Sequence, residues 1–516
     1  MIKILMVQPK GHETFWQLKT VQTITKRKGV NPPLGLATLA ALTPPEYEIT
    51  IIDEYIDPID FDVQYDIVAI TGYTIHATRI KEISEQFMSR GILTVGGGPW
   101  VSSHTEEAKE IFSVVIRGEA EVTWPLFLDQ WKKSEHESFY NSPTPPDLSC
   151  TPAPRWDLVK LENYSASMVQ TSRGCPHICE FCDVIALFGR KVRLKPIENV
   201  LAEIRYFAEQ GRPDIFFADD NFIGNRKYAR DLLVGMIELN KILKFPLRFA
   251  TQITVNVAND DELLELLIEA NFFLLIIGVE TPSEESLKET NKGQNLNFNM
   301  GAAIQKIQSR GIFLSTAMIV GFDNDGPDIF QKQFDFLSEN FIPIPIISML
   351  SALKGTELYL RMIQEERLIP GLEAGDMCLK TNIIPKNITK EELENSYAKL
   401  FSSLYTTENF YERFSGYIDQ LNIVEVKRQS PVKVASRLAI VQPYYLGVTV
   451  RLLKYYIFHK DKKMRVLFRK CLKKCYKRSM VTYPLMLELL IYFKAHHDFI
   501  QSRFFPSEET SSKPVT

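Results

Sequence analysis

The chain has 516 residues, 45% of them hydrophobic and 24% charged, which is the composition of an ordinary folded protein with room for two to four domains. A formal net charge of −3 gives no global field for nucleic acid, and seven cysteines, an odd number with three of them clustered, argue against a disulfide framework and for a reducing cytoplasm. The N-terminal apolar run is too short for a signal peptide, and the longest uncharged apolar run, from Leu438 to Val450, stops short of a bilayer span between Arg437 and Arg451.

Residues 1–136 alternate short β-branched runs with helical patterns, as a parallel α/β domain of Rossmann-like (flavodoxin-like) type does. Strands are predicted over Ile2–Val7, Tyr47–Ile52, Asp66–Gly72, Ile92–Gly96 and Val114–Arg117. Helices are predicted over Leu34–Leu42, Ala77–Ser89 and Glu121–Trp131. Ligands of such sheets bind outside the carboxyl ends of the strands. The residues there are Thr71, Gly72 and Thr74 after the third strand, Gly97, Gly98 and Pro99 after the fourth, and Gly118 and Glu119 after the fifth. Glycines at neighbouring strand ends let a backbone approach a bulky flat ligand. The plainer reading is a scaffold with ordinary turn glycines, in which His76 is a solvated or capping residue.

Residues 137–163 are rich in Pro, Ser and Thr and read as a linker, with Cys150 isolated in it. Residues 164–356 alternate again. Strands over Met168–Ser172, Asp214–Ala218, Leu247–Thr254, Phe272–Gly278, Phe313–Val320 and Ile346–Leu350, with helices between them, predict a partial (β/α)6 barrel whose chemistry lies at the carboxyl ends of the strands.

The first of those ends opens into Thr171-Ser-Arg-Gly-Cys-Pro-His-Ile-Cys-Glu-Phe-Cys-Asp183. Cys175, Cys179 and Cys182 form a C-x3-C-x2-C array. Soft thiolates so close together suit an iron–sulfur cluster or zinc. Zinc in a closed site takes four ligands, and no fourth Cys or His stands at zinc-ribbon distance. Three buried structural thiols are the bland alternative, which the Arg-Gly and Pro around them oppose. The second strand ends in Asp219-Asp-Asn-Phe-Ile-Gly224, the fourth in Gly278-Val-Glu-Thr-Pro282 and the fifth in Met318-Ile-Val-Gly-Phe-Asp323. Asp-Asp-Asn before a helix also reads as a cap.

Residues 357–506 read as a mainly helical region, and 507–516 as a disordered polar tail. Between Arg451 and Arg478, Asp461 is the only acid among many Lys and Arg, with aromatics and leucines interleaved. Two readings stand: a basic amphipathic helix on an anionic membrane, and a packed helix with a solvated basic face. Cys471 and Cys475 share a helix face without further ligands nearby.

The motifs Gly-Cys-Pro-His-Ile-Cys-Glu-Phe-Cys-Asp, Asp-Asp-Asn-Phe-Ile-Gly-Asn and Ile-Gly-Val-Glu-Thr-Pro, in this order behind the Gly-Gly-x-Pro and Gly-Glu-x-Glu elements, resemble the cobalamin-binding radical S-adenosylmethionine (SAM) enzymes. Within them the chain is similar to the branch with a family-specific helical carboxy-terminal domain, which includes a hopanoid methylase. The resemblance covers residues 1 to about 400. It implies a [4Fe–4S] cluster on Cys175, Cys179 and Cys182. It implies SAM held by Phe181, by Asp219 or Asp220 at its amine, by Glu280 at its ribose, and by Ile319 to Gly321 at its adenine. It implies cobalamin at Thr71, Gly72, Thr74, Gly97, Gly98, Pro99, Gly118 and Glu119. One departure is that Asp-x-His-x-x-Gly is missing; the nearest histidine, His12, lacks the Asp, so cobalt would lack that ligand. The implied reaction is methylation of an unactivated sp3 carbon of a small molecule or lipid through a 5′-deoxyadenosyl radical and methylcobalamin, fed by a donor such as flavodoxin or ferredoxin. It would run in the cytoplasm, with peripheral contact at the inner face of the membrane as one reading of the basic segment. A non-methylating radical oxidoreductase or cyclase, and a sensor without catalysis, are the competing readings.

Overall fold

The computed structural model describes residues 2–14, 17, 19–142, 144–243, 246–296, 298–372, 380–428 and 443–505. The chain divides into two compact units. The first is Met1–Glu13, Lys28–Asn225 and Ser351–Met377; the second is Thr14–Arg27, Arg226–Leu350 and Cys378–Thr516. This partition cuts through the stretch 164–356, which the sequence reads as one domain.

In the first unit, β1 (Ile2–Gln8), β2 (Tyr47–Asp53), β3 (Ile67–Thr71), β4 (Leu93–Gly97), β5 (Val114–Arg117) and β6 (Phe139–Asn141) form a parallel sheet in the order β2-β1-β3-β4-β5-β6. That is the flavodoxin-like order, with its switch point between β1 and β3. Successive side chains of a strand point to opposite faces. Accordingly Leu5 and Val7 pack with Ile80, Ile83 and Phe87 of the helix Ala77–Met88, while Ile4 and Met6 pack with Trp124 and Phe127 of the helix Ala120–Lys132. A strand covered on both faces has to be apolar throughout, and this one is. Each such side chain contributes roughly 1.5–3 kcal/mol by its burial.

The predicted elements of this sheet stand within a residue or two of their places. The stretch read as a linker carries more structure than a linker needs: it supplies β6, and it buries Leu148, Tyr140 and Trp156. Between β4 and β5 lie two helices that the periodicity did not announce, Pro99–Ser103 and Thr105–Ile111.

The first unit also holds β7 (Ser167–Val169), β8 (Ser172–Arg173), β9 (Arg193–Leu194) and β10 (Asp214–Phe217). β7 pairs with β10 in parallel and β8 with β9 antiparallel, so the single strand expected over Met168–Ser172 is broken at Gln170–Thr171. In the second unit β11 (Arg248–Ile253), β12 (Phe272–Glu280), β13 (Phe313–Val320) and β14 (Ile344–Met349) pair in parallel, each with the next. The helices Asp261–Glu269, Met300–Ser309 and Ile329–Glu339 alternate with them. All six strands expected of the partial barrel are present.

The rest of the second unit is helical. The helix Lys390–Leu404 starts on a capping box of Thr389 and Glu392, which satisfies two otherwise orphaned N–H donors. The helices Thr407–Gln420, Lys462–Arg478 and Tyr483–Phe504 follow it, with Pro443–Ile457 before the last two. The helix Lys462–Arg478 buries Met464, Leu467, Phe468, Cys471 and Cys475, so the packed-helix reading holds for one of its faces. Burial pushes the Cys475 thiol up to about 11, which makes it a poor thiolate. Thr14–Arg27 joins the same unit, where Lys494 Nζ donates to Thr20 O at 2.9 Å. Among the described residues no helix is long and apolar enough to cross a membrane. The tail 507–516 and residues 438–442 of the apolar run lie outside the described residues.

Candidate active site

The cysteine loop leaves β7 and is closed by the β8–β9 hairpin. Two carboxylates at the end of β10 fasten it. Asp219, 1% exposed, accepts through Oδ1 from Thr171 N (3.0 Å), Thr171 Oγ1 (3.0 Å), Ser172 Oγ (2.8 Å) and Ser172 N. Burial pushes its carboxyl up to about 6, against the pull of these donors. Asp220 Oδ2 accepts from Gly174 N at 2.9 Å. The next helix begins only at Arg226, so this Asp-Asp-Asn is no helix cap; it organises the loop opposite. Gly174 has φ +93°, and a Cβ there would lie 2.7 Å from Lys191 O and 3.0 Å from Gly189 O. Only glycine makes that turn without strain.

Within the loop Cys175 N donates to Gly189 O (3.3 Å) and Cys182 N to Cys179 O (3.2 Å). Cys179 is buried; Cys175, Cys182 and Phe181 are half-buried. Glu180, between two of the cysteines, takes a forked bond from Arg361, at 2.5 Å from Nε and 3.2 Å from Nη2, and its carbonyl accepts from Leu358 N. Among the described residues no three His, Cys, Asp or Glu converge on a single metal ion. A four-iron cube that keeps one iron open asks for something else, three thiolates on three separate irons. Three soft donors on one buttressed, partly buried loop fit that demand.

The carboxyl edge of the first sheet belongs to the same unit. Trp100 N donates to Gly72 O, Ser102 Oγ to Gly98 O, and Gly118 N to Ser102 Oγ, which stitches the turns after β3, β4 and β5 together through the helix Pro99–Ser103. Gly98 has φ +86°, and a Cβ there would lie 2.0 Å from Thr71 Oγ1. Gly118 (φ +82°) faces open space, so a flat ligand could lie against its backbone. Thr74 opens the turn that holds His76. His76 caps that turn and is buried, not solvated: its Nδ1 accepts from Tyr73 N at 2.9 Å, and burial lowers its pKa to about 4. His12 is exposed on the loop after β1.

Glu119 has another occupation. Its side chain, 7% exposed, is gripped by Arg173 Nη1 (2.6 Å) and by Arg193 Nη2 (2.6 Å) and Nη1 (2.9 Å). Glu121 adds a contact to Arg173 at 2.7 Å. The Gly-Glu-x-Glu element thus grips the β8–β9 hairpin, whose connection carries all three cysteines. Arg173 and Glu180 lie in the stretch that the sequence singles out; Arg193 and Arg361 carry no local signal.

In the second unit Glu280 ends β12 at φ +65°, beside a register shift between Gly278 and Glu280. Its Oε1 bonds Lys292 Nζ at 2.6 Å, and a Cβ on Gly278 would meet that oxygen at 2.3 Å. A buried non-glycine residue in this region is strained and is held there by its surroundings. After β13, Gln333 Nε2 donates to Ile319 O (2.6 Å), and Asp325 accepts from Gly321 N (2.9 Å), Phe322 N (3.1 Å) and Ser286 Oγ (2.8 Å). Gly321 has φ +101°.

Two family descriptions match the chain: the radical SAM superfamily over residues 169–337, and a domain of unknown function (DUF4070) over 356–504. An uncharacterized methyltransferase of Synechocystis sp. is 33% identical over 418 residues, 80% of this chain and 78% of that one. The hopanoid C-2 methylase of Rhodopseudomonas palustris is 32% identical over 66% of this chain and 65% of its own length. The bacteriochlorophyllide d C-12(1)-methyltransferase of Chlorobaculum tepidum is 29% identical over 80% and 90%. Among solved structures, the cobalamin-dependent SAM radical enzyme OxsB, with aqua-cobalamin and SAM bound, shares the fold at TM-score 0.61 and 17% identity, over 97% of this chain and 80% of that one. The methyltransferase TsrM of Kitasatospora setae, with cobalamin and a [4Fe–4S] cluster, shares it at 0.60 and 14%, over 92% and 100%.

Proposed function

This chain belongs to the radical SAM superfamily, and we propose on that premise that it is a cobalamin-dependent methyltransferase acting on an unactivated sp3 carbon of a small molecule or lipid. The observation that carries the proposal lies within one unit: the three-cysteine loop is bound by Glu119 to the sheet edge lined by Gly97, Gly98 and Gly118. The relatives named for methylation of hopanoids and bacteriochlorophyllides support it.

When bound, the cluster and SAM supply a carbon-centred radical that takes hydrogen from the substrate, and cobalamin supplies the methyl group. The protein's part is to hold and orient. Cys175, Cys179 and Cys182 would ligate three irons and leave the fourth to SAM. Asp219 keeps the loop in shape, and Asp220, less enclosed, is the carboxylate we assign to the SAM amine, where an ammonium needs a charge-assisted partner. Phe181 would pack beside the cluster. In the second unit we assign Glu280 to the ribose and Ile319 to Gly321 to the adenine. Thr71, Gly72, Thr74, Gly97, Gly98, Pro99 and Gly118 would wall the cobalamin, with Glu119 positioning the hairpin rather than touching the cofactor. The electron comes from a donor such as flavodoxin or ferredoxin, and the site of action is the cytoplasm.

The test is anaerobic. Reconstituted protein is supplied with cobalamin, SAM, a reductant and a lipid extract. S-adenosylhomocysteine formed together with 5′-deoxyadenosine supports the proposal. 5′-Deoxyadenosine alone would point to a radical reaction without methyl transfer, and a C175A/C179A/C182A variant that still made either product would overturn the assignment.

A further inference from the structure

The two helices Pro443–Ile457 and Lys462–Arg478 bury one face each and leave another uncovered. A helix that only had to pack would turn polar side chains outward. Here the outward face of the first carries Leu446, Val450 and Ile457 at spacings of four and seven, followed by Phe458, which is 77% exposed. The outward face of the second carries Lys462, Val466, Arg469, Lys473, Tyr476 and Lys477, a run at helical spacing opposite the buried Met464, Leu467, Phe468 and Cys471. Tyr476 is 78% exposed, and so is Met480 just beyond the helix. Not every cation here is available: Arg478 donates to the carbonyls of Ile418, Asp419 and Leu421, and Lys474 pairs with Asp419. The outward lysines and Arg469 have no such task among these bonds.

We propose that this face docks on an anionic lipid bilayer, with the cations at the phosphate level and Phe458, Tyr476 and Met480 entering the interface. Charge complementarity selects the occupant. A segment with Asp461 as its single acid between Arg451 and Arg478 attracts a negatively charged surface. A second copy of the chain would set lysine against lysine, which is repulsive. An acidic protein would satisfy the cations but leaves the protruding rings without a purpose, whereas interfacial helices pair a basic face with such side chains. The proposal needs neither cluster nor SAM, so its fate is separate from that of the chemistry above.

The experiment is flotation of the full-length protein with vesicles of phosphatidylcholine, with or without about one-third phosphatidylglycerol. Binding to the anionic vesicles should exceed binding to the neutral ones by about tenfold or more at roughly 0.1 M salt, and should fall away at about 0.5 M, where the screening length is only a few ångströms. The variant F458S/Y476S/M480S should lose about tenfold in binding with its circular dichroism unchanged, since all three side chains are exposed. R469E/K473E/K477E should abolish binding. Wild-type protein that ignored anionic vesicles would overturn the proposal without any variant. So would a serine variant that bound like wild type, which would mean that Phe458, Tyr476 and Met480 do not enter the interface.

Discussion

At the scale of the residue, the site depends on a few side chains whose alternatives are costly. Gly174 is one. Gly174→Ala places a Cβ against Lys191 O in a left-handed backbone, so the hairpin must shift. Iron bound per chain after anaerobic reconstitution should drop well below the wild-type value, and wild-type iron content in that variant would refute this account of the turn. Glu119 is another. Glu119→Gln keeps the shape but leaves Arg193 buried without its carboxylate and Arg173 with Glu121 alone, a loss on the order of 3 kcal/mol. Thermal unfolding should show it, and the midpoint of cluster reduction should move as well, which a purely remote packing defect would not cause. Asp53 supplies a pH dependence. It accepts from Tyr164 Oη (2.9 Å) and Tyr55 N (3.0 Å), and burial raises its pKa from 3.8 to about 6. A carboxyl raised on folding holds its proton more tightly in the native state. Its contribution is therefore complete below pH 4 and is lost as pH rises through 6, by on the order of 3 kcal/mol. Asp53→Asn should gain on wild type at pH 7 and not at pH 4; equal differences at both values would contradict the assignment.

At the scale of the element, the loops after the strands carry the candidate site residues and the strands carry the register. β12 shows the connection. Its last residues shift register between Gly278 and Glu280, and the shift aims a carboxylate at Lys292. Lys292→Met removes the partner and strands a buried charge at a residue already at φ +65°. SAM affinity measured by equilibrium dialysis should weaken, and unfolding should come earlier by about 3 kcal/mol or more. Unchanged SAM binding would count against Glu280 as a ribose contact. The pattern of apolar residues announced nearly every strand, because a doubly covered strand must be apolar along its length. It missed β6 because three residues in a Pro-rich stretch have no period to read. It missed the helices Pro99–Ser103 and Thr105–Ile111 because neither is long enough to show one.

At the scale of the whole molecule, each compact unit is assembled from separated pieces of chain. Ser351–Met377 returns to the first unit, where Arg361 reaches Glu180 from 181 positions away. A chain ended after Leu350 should therefore lose more than its helical region: the cysteine loop should become a site of rapid proteolysis, and a loop as resistant as in the full chain would show that Arg361 is dispensable.

Spacing narrowed what the chain could bind, and the resemblance of its motifs named the cofactors. Thiolates at C-x3-C-x2-C, carboxylates at a strand end and glycines at three neighbouring strand ends are local facts, and a sequence shows them directly. The tertiary structure decided which groups remain free to bind. Asp219 is enclosed by Thr171 and Ser172, 48 and 47 positions away, and Glu119 by Arg173 and Arg193, 54 and 74 positions away. Contacts at such separations leave no periodicity in the sequence. They exist because buried charges must find partners wherever the fold brings them, and only the folded chain says where that is.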